Sequence, residues 1–437
     1  MDLNGEKHRF CLSLREQKYA ANRLCTPGFY ITMKSAIDPS CLKEAVVYAL
    51  KLHPVFATRL IRDQGLYWLE ENDSEPVIRQ EIWDKPLVFG TEEYHGFPWV
   101  MTWSGAVIRF VCSHAPSDGT GIVNFLRDVL VRYLQVTGKM RTDPLPATPD
   151  GEPDDRYDSN PYLFSSDEPV YALGMPHFPP ASPLPGGTRM FEKDIGKINV
   201  YDLILKQDEI RALAGESETS TFSVIACLLA RAMQKTFAMD DGHIEVRVPV
   251  DLRPHFGTKT DRNFVYGFSL HYDAGRMKNM ASPRVETAFR SQLDLYLDRD
   301  NLMRKMQNEK VIYLELQKHP ESADSLPAAD SGGEGSMARI RYTHINRINF
   351  PDEVEQNIEK MQLAFTSRLT GDFFVTAINQ GNEIHLAVLQ NTRNDAYIQV
   401  LTDEIRQRGL DCHTELLSPY PEAEYRPEGI FPDKCSQ

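Results

Sequence analysis

Paired cysteine ligands are missing from this chain. Its seven cysteines, Cys11, Cys25, Cys41, Cys112, Cys227, Cys412 and Cys435, are scattered, and no two form a Cys-x-x-Cys pair. An odd, dispersed set excludes a zinc ribbon or a dithiol redox motif and points to free thiols in a reducing compartment. Basic blocks are missing as well. The formal net charge is −14 over 437 residues, with no long Lys/Arg run. That excludes the basic footprint on which binding to nucleic acid or an anionic membrane surface depends. The longest apolar stretch, about 223 to 233, is interrupted by Arg231 and is too short to span a membrane. Met1 to His8 is polar and lacks the apolar run of a signal peptide. A soluble, cytoplasmic protein is expected.

The signatures of several enzyme classes are also absent. No Gly-x-Ser-x-Gly elbow carries a nucleophilic serine. Neither a P-loop nor a Gly-x-Gly-x-x-Gly fingerprint is present, so nucleotide-dependent chemistry has no support. What remains is an ordinary globular composition, 41% apolar and 25% charged, with enough apolar material for a real core.

The length predicts two domains. Phe29 to Met33 reads as a strand, and Asp38-Pro39 opens a helix with Asp as N-cap and Pro at the first position. Leu42, Ala45, Val46, Ala49 and Leu50 supply its apolar stripe, Pro54 ends it, and strands follow at 57–61 and 66–69. From about 144 to 187 the texture turns to Pro, Asp, Glu and Ser, the composition of a crossover linker. This places one subdomain at 1–185 and a second at 186–437. The second repeats the alternation: a strand at 198–205, a short helix capped by Asp208, and an apolar helix at 221–237. A strand at 243–249 and one long helical region at 284–318 follow, then a polar loop at 323–336. Strands at 373–379 and 383–390, joined by a turn at Gln380-Gly381-Asn382, lead to a helix at 396–409. Such mixtures predict an α/β fold of layered sheets and helices.

One stretch stands out: His114-Ala115-Pro116-Ser117-Asp118-Gly119. A strand reading at 106–113 precedes it and a helix starting near Thr120 follows, with Gly119 and Gly121 expected to let the chain turn. A strand end of this kind aims a histidine into a cleft, and histidine carries protons near neutral pH. Reading His114 and Asp118 as helical metal ligands fails, because Pro116 interrupts the helix and no further ligands stand at suitable spacing. Metal is therefore not expected. Ser113 is no triad partner, since neighbours on a strand point to opposite faces. A second segment, Pro249-Val250-Asp251-Leu252-Arg253 followed by Thr260-Asp261-Arg262-Asn263-Phe264, reads by itself as a strand end and polar loop.

Together these segments resemble the CoA-dependent acyltransferase superfamily, which includes chloramphenicol acetyltransferase, alcohol acetyltransferases and nonribosomal peptide condensation domains. The likeness rests on His-x-x-x-Asp-Gly-x-Gly at 114–121, on Pro249 to Arg253 with Thr260 to Phe264, and on Thr343 to Pro351 late in the chain. Ala49-Leu50-x-x-His53-Pro54 and the turn and strand from Gly381 to Gln390 also fit. The resemblance implies two chloramphenicol-acetyltransferase-like α/β subdomains forming a pseudo-dimer around a central channel. It implies His114 as general base, with Asp118 a structural strut paired to Arg253 beside Gly119. It implies an oxyanion donor, Thr343 or the backbone N–H groups around Gly119. No bound cofactor is implied; acetyl-CoA or another acyl-CoA is the co-substrate, and Lys259, Arg262 and Asn263 are expected on the CoA side, the two cations offsetting the acidity of the chain.

The expected activity is transfer of an acyl group, acetyl first among the candidates, to an alcohol or related small-molecule acceptor by a monomer. Two alternatives stand beside it: a condensation-type enzyme drawing on an acyl or peptidyl carrier protein, and a binding protein built on the same fold. Ser113 stands where condensation domains carry a second histidine, and Asn346 where relatives of the late motif have glycine. The first departure favours a stand-alone transferase.

Overall fold

Two large sheets, of five and seven strands, dominate the described residues beside a three-stranded and a two-stranded one, and one strand of the five-stranded sheet comes from far along the sequence. The computed structural model describes residues 7–21, 26–82, 87–141, 162, 165, 178–185, 199–320, 337–346, 348–365, 373–390, 395–417 and 423–427. Most of the 144–187 linker and the 323–336 loop lie outside these residues. The first sheet runs Ile358–Phe365, Pro27–Met33, Val107–Cys112, Trp99–Ser104, Ile78–Gln80. The second runs Val265–Asp273, His243–Asp251, Arg339–Ile345, Phe373–Gln380, Glu383–Gln390, Asn199–Lys206, Cys412–Leu417. Residues 358–365, which a boundary at 185/186 assigns to the second half, pair antiparallel with Pro27–Met33 in the first sheet.

This crossover strand explains the apolar runs of the second sheet. In Phe373–Gln380, Phe373, Val375 and Ala377 enter the core of the second half, while Phe374 and Ile378 enter that of the first. A strand buried on both faces reads as a continuous apolar run rather than an alternating one. The same alternation orients Arg339–Ile345. Ile340 and Tyr342 face the second core, so Thr343 and Ile345 face the first half, where Ile345 is packed.

Several helices begin where their residues dictate. Asp38 accepts from Ser40 N and Cys41 N at 2.9 and 3.0 Å, and Ser220 accepts from Ser223 N. Two expectations fail. Asp208 is not a cap: the helix Gln207–Glu216 starts at Lys206, directly off a strand, with Gln207 N donating to the Asn382 carbonyl at 2.9 Å. The region 284–318 is two helices, Ser282–Leu297 and Arg299–Lys318, because Asp298 leaves helical geometry (ψ 134°) and caps the second one.

The helix Gly119–Val136 is anchored by Phe125, which stacks on Phe56 at 4.5 Å and meets Phe110 and Trp99 at 5.6 and 5.9 Å. Each buried ring of this kind contributes roughly 2–3 kcal/mol. This aromatic knot holds the N-terminus of the helix against the seam between the halves. No helix among the described residues is long and apolar enough to cross a membrane.

Candidate active site

His114 follows the strand Val107–Cys112 in a tight turn that Pro116 keeps from becoming helical. Its ring is 9% exposed and lies at the seam. Nδ1 donates to the Ser117 carbonyl at 2.8 Å. A carbonyl can only accept, so this bond places a proton on Nδ1. The Tyr19 ring stacks on the imidazole, with centroids 4.3 Å apart and planes 26° from parallel. Tyr19 lies on the short helix Leu14–Ala21, which therefore covers one face of His114.

The Asp118 carboxylate is committed elsewhere. Oδ1 caps the motif helix, accepting from Thr120 N and Gly121 N at 3.1 and 3.2 Å, and Oδ2 accepts from Phe264 N at 2.7 Å. Arg253 Nη2 donates to both oxygens at 3.0 Å. Arg253 also donates to the carbonyls of Thr260 and Arg262 at 2.6 Å each, and to Asp251 Oδ1 at 2.9 Å. A charge pair buried this deeply requires such saturation, since each unmet polar atom would carry its full desolvation cost. The pair joins the motif turn of one half to the 258–264 loop of the other.

The glycines have a different role from the turning one that their position suggests. Neither Gly119 nor Gly121 has a positive φ. A Cβ on Gly121 would lie 2.3 Å from both the Asp261 carbonyl oxygen and Ser117 Oγ, and one on Gly119 would lie 3.1 Å from Ile345 Cδ1. Both are needed for close approach across the seam. The amides of Thr120 and Gly121 are taken by Asp118, which removes them as oxyanion donors. Thr343 remains. It is paired in register with Thr376, whose hydroxyl donates to the Leu363 carbonyl of the crossover strand, so this face looks onto the seam.

Two residues expected on the CoA side are corrected. Arg262 is 1% exposed, with Nη2 and Nε donating to Glu16 at 2.5 and 3.1 Å and Nη2 to the Cys11 carbonyl at 2.8 Å. A guanidinium held there cannot line a solvent-facing mouth. Asn263 is buried on the histidine itself, with Nδ2 3.1 Å from the His114 carbonyl oxygen. Lys259 is exposed on the same loop. Cys112 is sealed in its strand, and burial pushes its thiol well above the ordinary range.

Sequence reasoning missed three contributors. Tyr19 sits nearly a hundred residues from the motif and carried no signal. Glu16 looks like an ordinary helix-surface acid, yet it is fully buried on Arg262. His53 was visible only as part of a likeness, although Asp128, an acid beside the apolar stripe of the motif helix, hinted at a buried partner. His53 Nε2 lies 2.8 Å from Asp128 Oδ2, and Nδ1 lies 2.7 Å from Asp261 Oδ2.

No family model matches the chain, and no curated protein matches it by sequence. Solved structures do match. Polyketide synthase associated protein 5 from Mycobacterium tuberculosis is 15% identical, with a TM-score of 0.59 over 91% of this chain and 98% of its own. TRI101 of F. sporotrichioides, solved with coenzyme A and T-2, is 10% identical, with a TM-score of 0.63 over 94% and 99%. The epimerization domain from the third module of tyrocidine synthetase B is 10% identical, with a TM-score of 0.57 over 92% and 95%. Likeness along nearly the whole of each chain gives this protein the mixed α/β, chloramphenicol-acetyltransferase-like fold that these solved structures share.

Proposed function

We propose that this protein transfers an acyl group from a CoA thioester to the hydroxyl of a small-molecule acceptor, with His114 Nε2 as general base. The observation that carries the reading is the Nδ1–H bond to the Ser117 carbonyl at 2.8 Å. In a neutral imidazole with its proton on Nδ1, the basic lone pair is on Nε2. Nε2 removes the hydroxyl proton as the acceptor oxygen bonds to the thioester carbon, and the C=O electron pair moves onto oxygen. When that pair returns, the C–S bond breaks, and the leaving thiolate recovers the proton from Nε2. No acyl-enzyme is required, in keeping with a buried, high-pKa Cys112.

In this mechanism Asp118 and Arg253 hold the turn, and Thr343 donates to the oxyanion. Lys259, as the exposed cation of the loop, faces the CoA side. The solved complex of TRI101 with coenzyme A supports a CoA donor for this fold. The test is thiol release from acetyl-CoA over a panel of alcohols. His114→Ala is expected to lose about 10²–10⁴-fold in rate. Equal release by the variant and the wild type with every acceptor would remove His114 as the base. Turnover only with a pantetheinyl carrier protein would replace CoA as the donor.

A further inference from the structure

The seam holds a second histidine that this mechanism does not use. His53 ends the helix Pro39–Leu52 and is 1% exposed. Both of its ring nitrogens face carboxylates, Asp128 on the motif helix and Asp261 on the loop of the other half. A neutral imidazole has one N–H and can serve only one of them; the imidazolium serves both. The remaining neighbours complete the balance. Arg127 Nε donates to Asp128 Oδ1 at 2.7 Å, and Asn124 Nδ2 donates to Asp261 Oδ1 at 3.2 Å. The rings of Phe56 and Phe125 present edges at 6.4 and 5.8 Å. Burial acts to strip the proton from His53, but the two carboxylates outweigh it and raise the pKa to about 9.

Asp261 leads directly to His114. Its carbonyl accepts from Ser117 Oγ at 2.6 Å, and the Ser117 carbonyl accepts from His114 Nδ1 at 2.8 Å. Two residues on, Asn263 donates to the His114 carbonyl. There is no slack in this contact, since Gly121 has no room for even a methyl group against Asp261. Wherever Asp261 moves, the acceptor of the His114 proton moves with it.

We infer that His53 is a positioning residue: as an imidazolium bridging Asp128 and Asp261, it fixes the loop on which the Ser117 and Asn263 contacts to His114 depend. Its kinetic consequence rests on the acyltransferase reading; its effect on the His114 ring does not. If His53 loses its proton, one carboxylate loses its donor, the loop loosens, and Nδ1–H of His114 is no longer held.

The experiment follows the ring nitrogens of both histidines by ¹⁵N NMR in the full-length protein, alongside thiol-release kinetics. Near neutral pH, His53 is expected to carry two protons and His114 one, on Nδ1. Raising the pH through about 9 should remove a proton from His53 and, reversibly and in step, speed water exchange of the His114 Nδ1–H. His53→Gln should show the same loosening at neutral pH, and kcat should fall by about 10–100-fold with KM unchanged. An unchanged His114 tautomer and exchange rate, in the folded variant and across the wild-type titration, would overturn the inference. If His53→Gln does not fold, the wild-type titration decides alone. A His114 response without thiol release from any acceptor would uphold the positioning role and bring down the acyltransferase reading instead.

Discussion

His53 and His114 stand on two sides of one loop, and their surroundings differ chiefly in what Nδ1 and Nε2 meet. His53 meets a carboxylate at each nitrogen, within a knot of aromatic edges. His114 meets a backbone carbonyl at Nδ1 and an aromatic face across its ring. Carboxylates favour the charged ring and turn it into a strut. A carbonyl orients the ring and fixes the proton on Nδ1 without adding a charge. Under the proposed mechanism one residue type would serve as a fixture and as a base within a single seam, with only the partner atoms separating the two roles.

The comparison can be broken from either side. Asp118→Ala strikes the His114 side hardest, because it strips Arg253 of its main counter-charge in a buried site. Chemical denaturation should show a loss of about 3–5 kcal/mol. On the other side, His53→Ala leaves Asp128 and Asp261 facing each other without the shared cation, with an expected loss of about 3 kcal/mol. The pH dependence carries the sign of that strut. The pKa of His53 is raised from 6.5 to about 9 on folding, so its stabilisation is complete below the lower value and is lost as pH rises through the upper one. Wild-type denaturation midpoints should fall across that interval, and His53→Gln should flatten the decline.

Smaller effects sharpen the contrast. Gly121→Ala drives a methyl group into the Asp261 carbonyl and should cost about 1–3 kcal/mol, read as a lower melting temperature. Tyr19→Ala removes the stacked face and should raise the barrier by about 0.5–1.5 kcal/mol in kcat, whereas Tyr19→Phe, which keeps the ring, should retain most of the rate. Equal losses in both Tyr19 variants would mean that the hydroxyl, and not the stack, matters.

Much of the scaffold was legible before the structure. Asp38 caps its helix as its type demands, and the Asp118–Arg253 pair forms across the segments that family likeness brought together. Three of the failures share one cause. Asp208 reads as a cap, but the helix is capped two residues earlier, at Lys206, where Gln207 N donates to the Asn382 carbonyl across the turn. Arg262 reads as a solvated cation until Glu16, some 250 residues away, takes it into the core. Residues 358–365 read as part of the second half until they pair with Pro27–Met33. Each depends on a partner remote in sequence, and local pattern carries no record of such partners.

The sequence by itself determined the strand–turn–helix that presents His114, because burial periodicity, Pro116 and the capping Asp118 act over a few residues. The pairing of Asp118 with Arg253 came instead from the family resemblance. Only the tertiary structure decided why Gly119 and Gly121 are glycines, why Asn263 lies on the histidine, and why His53 meets a carboxylate at each ring nitrogen. These are matters of approach between two halves of the chain, where a few tenths of an ångström and the identity of the facing atom set the outcome. The feature most visible in the sequence, a histidine at a strand end, owes its ring orientation to Ser117 beside it and to a loop the sequence places far away.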